Sequence, residues 1–195
     1  MIGPGMSRGL QTGFALDRLW HCLRGEMDRT KAPTLGLLAR VLAESGVPYA
    51  IIGGVALQVH QAEPRTTLDI DVAIAGSAIL PRARLEAEGF RATGRFAHFE
   101  NWAAPDGVPV QFTDDPALAV AVMRAETIEV DGIPLRVIGR ADLLHEKLRA
   151  ASDPERRRSK RLQDLADAQG LLESAPTLAA ELTAEERAVL DRLPQ

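Results

Sequence analysis

The chain has 195 residues, 46% of them hydrophobic, enough for one domain with a sizeable core plus helical additions. Its 23 Lys and Arg against 27 Asp and Glu give a formal charge of -4, which supplies no global attraction to nucleic acid or to an anionic membrane, so any such contact must be local. The single cysteine, Cys22, excludes an intrachain disulfide framework. No apolar run reaches membrane-spanning length, and Met1 to Met6 lacks a signal-peptide core, so a cytoplasmic location is expected.

In chain order, residues 1–12 carry glycine and proline without periodicity and read as disordered. Phe14 to Leu23 and Thr34 to Ser45 have helical spacing of apolar residues, and Gly46 followed by Pro48 stops the second helix. Tyr49 to Ile52 reads as a buried strand, Gly53-Gly54 as a sharp turn, and Val55 to Gln61 as a helix ended by Pro64. The next strand, Leu68 to Ala75, alternates. Ile70, Val72 and Ile74 go to the core while Asp69 and Asp71 share the other face, roughly 7 Å apart. A helix over Leu80 to Glu88 and strands over Arg95 to Ala103 and Val108 to Thr113 follow, the strands joined at Pro105-Asp106-Gly107. Pro116 to Glu126 reads as a helix, and Ile128 to Val130 with Ile133 to Val137 as a hairpin through Asp131-Gly132. The remainder reads as helices over Ala141 to Ala151, Glu155 to Leu172 and Ala184 to Leu193. This divides the chain into an α/β core, residues 13–138, and a helical C-terminal extension, residues 139–195.

The chemistry concentrates between Gly53 and Asp71. A glycine pair at a helix start leaves room for phosphate, and the helix directs its free N-H groups and positive dipole end into that space. Two carboxylates on one strand face repel unless a cation lies between them, and Mg²⁺ is the natural one. Alternating aspartates in a β-branched strand oppose strand propensity, and such breaches of local rules tend to mark a site. The structural alternative is an ordinary strand-to-helix turn beside a solvated strand face.

This stretch resembles the nucleotidyltransferase superfamily signature, a Gly-Gly or Gly-Ser turn followed by an Asp-x-Asp strand. It is most similar to the AbiEii-type toxin branch, in which an arginine and a Ser or Thr precede the first aspartate by four and two residues, the places held by Arg65 and Thr67. Leu143-Leu-His-Glu-Lys147-Leu-Arg-Ala150 resembles that branch's lysine motif, and Arg161-Leu-Gln-Asp164-Leu-Ala-Asp167 the Arg-x-x-Asp-x-x-Asp segment that follows it. The resemblance spans Tyr49 to about Leu172. It implies a minimal nucleotidyltransferase fold, a small mixed sheet flanked by helices. Gly53, Gly54, Arg65 and Thr67 would bind the nucleotide and Asp69 and Asp71 the Mg²⁺. Lys147 would reach the triphosphate, and Asp164 would orient the reacting groups.

The superfamily usually adds a third carboxylate on a neighbouring strand, where this chain has Gln111 between Val110 and Phe112. Asp114 and Asp115 lie roughly 10 Å beyond that position. Glu100 would pair with Gln111 across a two-residue turn, and Asn101 across a three-residue one. None of His21, His60, His98 and His145 has a partner at zinc-binding spacing, and each reads as a packed or surface residue. Arg156, Arg157, Arg158, Lys160 and Arg161 form the only dense basic run, either a solvated helix face or the contact for a polyanionic acceptor.

The resemblance thus implies transfer of a nucleoside monophosphate from an NTP to a hydroxyl acceptor, with tRNA or another RNA as acceptor and an antitoxin protein as partner. Two alternatives stand beside it. One is a nucleotidyltransferase fold that binds without turnover, which Gln111 favours. The other is a nucleotidyltransferase of small molecules such as antibiotics.

Overall fold

A computed structural model describes residues 6–24, 30–61, 63, 65–130 and 132–191. Two helices, α1 (Met6–Leu23) and α2 (Ala32–Glu44), precede the central unit of β1 (Tyr49–Ile52), α3 (Gly53–His60) and β2 (Ile70–Ile74). Then come α4 (Arg82–Ala87), β3 (Arg91–Arg95), β4 (Phe99–Ala103), β5 (Pro109–Thr113), α5 (Ala119–Met123), β6 (Glu126–Val130) and β7 (Ile133–Val137). The chain closes with α6 (Arg140–Ser152), α7 (Arg158–Ser174) and α8 (Ala184–Leu190). Among the described residues, seven strands form one mixed sheet in the order β3-β4-β5-β2-β1-β7-β6. Two pairings are parallel, β2 with β5 and β1 with β7. The fold is the expected α/β sheet with flanking helices.

The sheet's faces follow from side-chain alternation. Ile70 and Val72 of β2, Trp102 of β4, and Val110 and Phe112 of β5 are buried on one face, where Trp102 meets Phe112 edge to face with centroids 6.5 Å apart. The opposite face of β4 and β5, with Asn101, Gln111 and Thr113, is only partly covered. Asp71, which pairs with Gln111, opens onto that half-open face.

Several boundaries differ from the sequence expectation. Residues 6–12, read as disordered, belong to α1. Gly9 among them serves a helix crossing, since a Cβ there would lie 2.1 Å from the Gln58 carbonyl oxygen of α3. Such contact lets Leu10 and Phe14 enter the core. Helix α3 begins at Gly53 and ends at His60, and Pro64, read as its terminator, lies outside the described residues. Of the strand expected over Arg95 to Ala103, only Phe99–Ala103 forms β4, while Arg95 closes β3, its antiparallel hairpin partner. The helix expected through Glu126 ends at Met123, and Glu126 opens β6. Helix α7 starts at Arg158, so Arg156 and Arg157 sit in the connection before it. Among the described residues no helix is long and apolar enough to cross a membrane.

Candidate active site

A cleft of about 370 Å³ opens where the N-terminal ends of β2 and β5 face the α6–α7 hairpin. Gly54, Arg65, Thr67, Asp69 and Asp71 line one side, Gln111 the floor, and Lys147, Arg156, Arg157 and Asp164 the other. Of the eight residues singled out from the sequence, only Gly53 is absent from the lining, because the Asp71 carboxylate lies over it. Gly53 has φ +60°, and a Cβ there would fall 2.0 Å from Asp71 Oδ2. A Cβ at Gly54 would lie 2.5 Å from Thr67 Oγ1. The two glycines therefore let Asp71 and Thr67 close down on the start of α3, a role in addition to any approach of phosphate.

Asp69 precedes the first residue of β2, and Thr67 donates its hydroxyl to Asp69 Oδ1 at 2.7 Å. Asp71 pairs with Ile52 of β1 on one side and Gln111 of β5 on the other. Burial, reinforced by the charge of Asp69, pushes the Asp71 carboxyl up to about 7. A carboxylate taken out of water beside a second negative charge resists ionisation. Two carboxylates completed by substrate phosphate oxygens make a donor set suited to Mg²⁺, so the residues fit the ion that the resemblance implies.

The cations opposite are held by a pair of buried aspartates one helical turn apart on α7. Lys147 Nζ lies 3.0 Å from Asp164 Oδ1 and 3.3 Å from Asp167 Oδ2. Arg156 Nε donates to Asp164 Oδ2 at 2.6 Å. Arg65 grips Asp167 with both edges of its fork, Nε to Oδ1 at 2.7 Å and Nη2 to Oδ2 at 2.9 Å. Burial works against the Lys147 charge, but Glu146, Asp164 and Asp167 outweigh it and raise the pKa above the ordinary lysine value. Asp164 and Asp167 thus find partners on other elements instead of pairing along α7 with Lys160 or Arg161. Asp167 was not singled out as a site residue from the sequence, and Arg156 only as part of the basic run. The signal for Asp167 was its spacing of three from Asp164, which places both on one helix face.

None of the three candidate third carboxylates reaches the cleft. A five-residue connection between β4 and β5 pairs Asn101, not Glu100, with Gln111. Glu100 therefore points to the buried face, where Arg82 Nε donates to it at 3.1 Å and Arg95 lies 3.3 Å away. Arg82 above all holds its carboxyl below the usual range. Asp114 sits 3.5 Å from His98, and Asp115 caps the turn at Ala117 and pairs with Arg149 at 2.7 Å. Gln111 keeps its place beside Asp71 and donates to Asn101 at 3.0 Å. Among the described residues no group of three or more His, Cys, Asp or Glu is arranged to hold a metal ion, so completion of a shell around Asp69 and Asp71 would fall to the substrate. His60 is buried against the Ile138 carbonyl at 2.7 Å, and burial lowers its pKa. It ties α3 to the start of the helical extension.

Comparisons with known proteins agree with this geometry. The structure of a nucleotidyltransferase-like antigen from Paracoccidioides brasiliensis superposes with a TM-score of 0.55 at 20% identity, covering 82% of this chain and 91% of that one. The antibiotic-resistance factor ANT(2'')-Ia gives 0.52 at 20% identity over 82% and 96%. JHP933 from Helicobacter pylori gives 0.51 at 17% identity over 79% and 69%. At these identities the likeness shows the fold. The sequence matches none of the curated proteins. The family model described as "Nucleotidyl transferase AbiEii toxin, Type IV TA system" matches residues 36–194, and the chain belongs to that family of nucleotidyltransferases.

Proposed function

We propose that the protein transfers a nucleoside monophosphate from an NTP to a hydroxyl of an RNA acceptor in a Mg²⁺-dependent reaction, as the toxin of a toxin-antitoxin pair. The observation that carries the chemistry is the convergence, in one cleft, of Asp69 and Asp71 with Arg65, Lys147 and Arg156. One wall suits a divalent cation and the other suits phosphate.

Asp69 and Asp71 would hold the ion, which when bound supplies charge neutralisation and activation of an attacking oxygen. Arg65 and Lys147 would contact the triphosphate and stabilise negative charge as it builds on the leaving pyrophosphate. The acceptor oxygen forms a bond to the α-phosphorus, the bond from that phosphorus to the bridging oxygen breaks, and pyrophosphate departs. The hydroxyl proton passes to solvent water in the same exchange. Thr67 orients Asp69, and Gln111 borders the cleft beside Asp71 without adding charge.

The acceptor reading rests on the basic lip. Arg156, Arg157 and Lys160 line the cleft beside Asp164, in a chain whose overall charge is -4. Antitoxin partnership rests on the family. Gln111 favours a second reading, a module that binds nucleotide without turnover. Pyrophosphate release with each of the four NTPs, with and without Mg²⁺ and RNA, separates the two. Release that needs Mg²⁺ and disappears in Asp69→Asn supports transfer. Nucleotide binding with no release under any condition supports the module.

A further inference from the structure

Lys31 and Asp17 form a buried ion pair between the start of α2 and α1, with side chains 4% and 5% exposed. Both lie before residue 36, where the match to the family model begins. Lys31 Nζ also donates to the main-chain carbonyl of Thr67. Thr67, itself buried, gives its hydroxyl to Asp69 and its side chain to the close contact over Gly54. A continuous chain of contacts therefore runs from α1 through Lys31 and Thr67 to a carboxylate of the cleft.

A buried ion pair is weak evidence for stability, because desolvating both charges offsets their attraction, and well-packed apolar residues often replace such a pair without loss. What an apolar pair cannot replace is the third contact, the ammonium hydrogen bond to the Thr67 carbonyl. That bond fixes the loop between α3 and β2 at the residue that aims Asp69. Thr67, one step behind Asp69, is a partner of the kind that sets a ligand's orientation, and loss of such partners typically weakens metal binding or activity roughly 10- to 100-fold. Lys31 acts one step further back, through the Thr67 main chain.

We infer that Lys31, held by Asp17, is a positioning residue for the metal-binding carboxylate Asp69, so that α1 and the start of α2 are working parts of the active site. The inference rests on the proposed function in taking Asp69 as a metal ligand. The test uses the full chain and Mn²⁺ as probe, with melting temperature, the Mn²⁺ dissociation constant from calorimetry, and the Mg²⁺ dependence of pyrophosphate release as readouts. Lys31→Met alone should lower the melting temperature and weaken Mn²⁺ binding. Asp17→Leu with Lys31→Met should recover the melting temperature while Mn²⁺ binding stays weaker, by up to the roughly 10- to 100-fold expected for the direct partner Thr67. Thr67→Val, which removes the hydroxyl from Asp69 and leaves the carbonyl, should weaken Mn²⁺ binding similarly. Adding it to the double substitution should weaken binding no further, because both act on one carboxylate. Mn²⁺ binding within twofold of wild type in the double variant would overturn the inference alone. If the double variant does not fold, additive losses from Lys31→Met and Thr67→Val would overturn it instead. Wild-type Mn²⁺ binding by both Asp69→Asn and Asp71→Asn would overturn the metal site itself, and the inference with it.

Discussion

Asp71 should weaken the fold it serves. Its carboxyl rises from 3.8 to about 7, through burial first and the Asp69 charge second. At about 1.4 kcal/mol per pH unit, holding Asp71 ionised above pH 7 costs up to about 4 kcal/mol in the absence of metal. The sign follows from proton counts. Between pH 4 and 7 the folded chain keeps a proton that the unfolded chain has released, so this group's favourable contribution is complete below pH 4 and is lost as pH rises through 7. Asp71→Asn removes the titration and keeps the shape. In EDTA at pH 8.5 the variant should melt above wild type, by up to about 8 to 16 °C for a chain of this size, and the gap should close towards pH 4. Mg²⁺ with a non-reacting NTP analogue should stabilise wild type only, while transfer activity is lost in the variant. Scanning calorimetry at four or five pH values is sufficient. A variant that melts at or below wild type at pH 8.5 in EDTA would refute the assignment of Asp71 as a strained, metal-awaiting carboxylate.

Three other perturbations address the rest of the cleft. Lys147→Met should cost about 1.5 to 3 kcal/mol in denaturant melts, the range of a hydrogen bond between charged groups, since Asp164 keeps Arg156 and Asp167 keeps Arg65, and it should also weaken NTP binding. A stability loss with unchanged nucleotide affinity would remove Lys147 from the triphosphate. Gly53→Ala places a Cβ 2.0 Å from Asp71 Oδ2 on a residue with φ +60°, so activity should vanish with a stability loss of at least about 1 kcal/mol. Wild-type turnover would show that Asp71 does not need this position. Changing Arg156, Arg157 and Arg158 to Ala should lower the slope of log binding against log salt for an RNA oligonucleotide by roughly 0.7 to 0.9 for each lost contact. Equal, flat dependence in both proteins would exclude an RNA end at this lip.

Legibility in the sequence followed burial. Strands β1, β2 and β5 carry their pattern because one or both faces meet the core, so Tyr49 to Ile52 and the alternation around Asp71 could be read directly. Strand β3 could not, since Arg91-Ala-Thr-Gly-Arg95 is an edge strand with little buried side chain and hence no apolar alternation. Gly9 looked like part of a disordered tail because a close helix crossing and a flexible tail use the same residue type. Register was likewise hidden. The choice between Glu100 and Asn101 opposite Gln111 depended on connection length, and a shift of one residue sends Glu100 to the other face. Within the site, local spacing placed Asp69 with Asp71 and Asp164 with Asp167. The partners of those residues were out of reach, because Arg65 meets Asp167 across 102 positions and Lys31 meets Thr67 across 36.

The electrostatics of α7 give Asp164 and Asp167 a purpose that needs no contact with nucleotide. Burial by itself drives a lysine towards its neutral form, and a neutral amine at position 147 would be of little use to a triphosphate. The nearby carboxylates reverse that tendency and keep Lys147 charged, while the same two aspartates fix Arg65 and Arg156 in place. This wall of cations faces two carboxylates, of which Asp71 is only partly ionised at neutral pH. On the proposed function, incoming phosphate would compete with Asp164 and Asp167 for Lys147 and Arg65, so the ion pairs would lower affinity even as they set orientation and charge. Removing either aspartate should therefore disturb the lysine before it disturbs the substrate, and the Arg-x-x-Asp-x-x-Asp segment is best understood as the holder of the cationic wall.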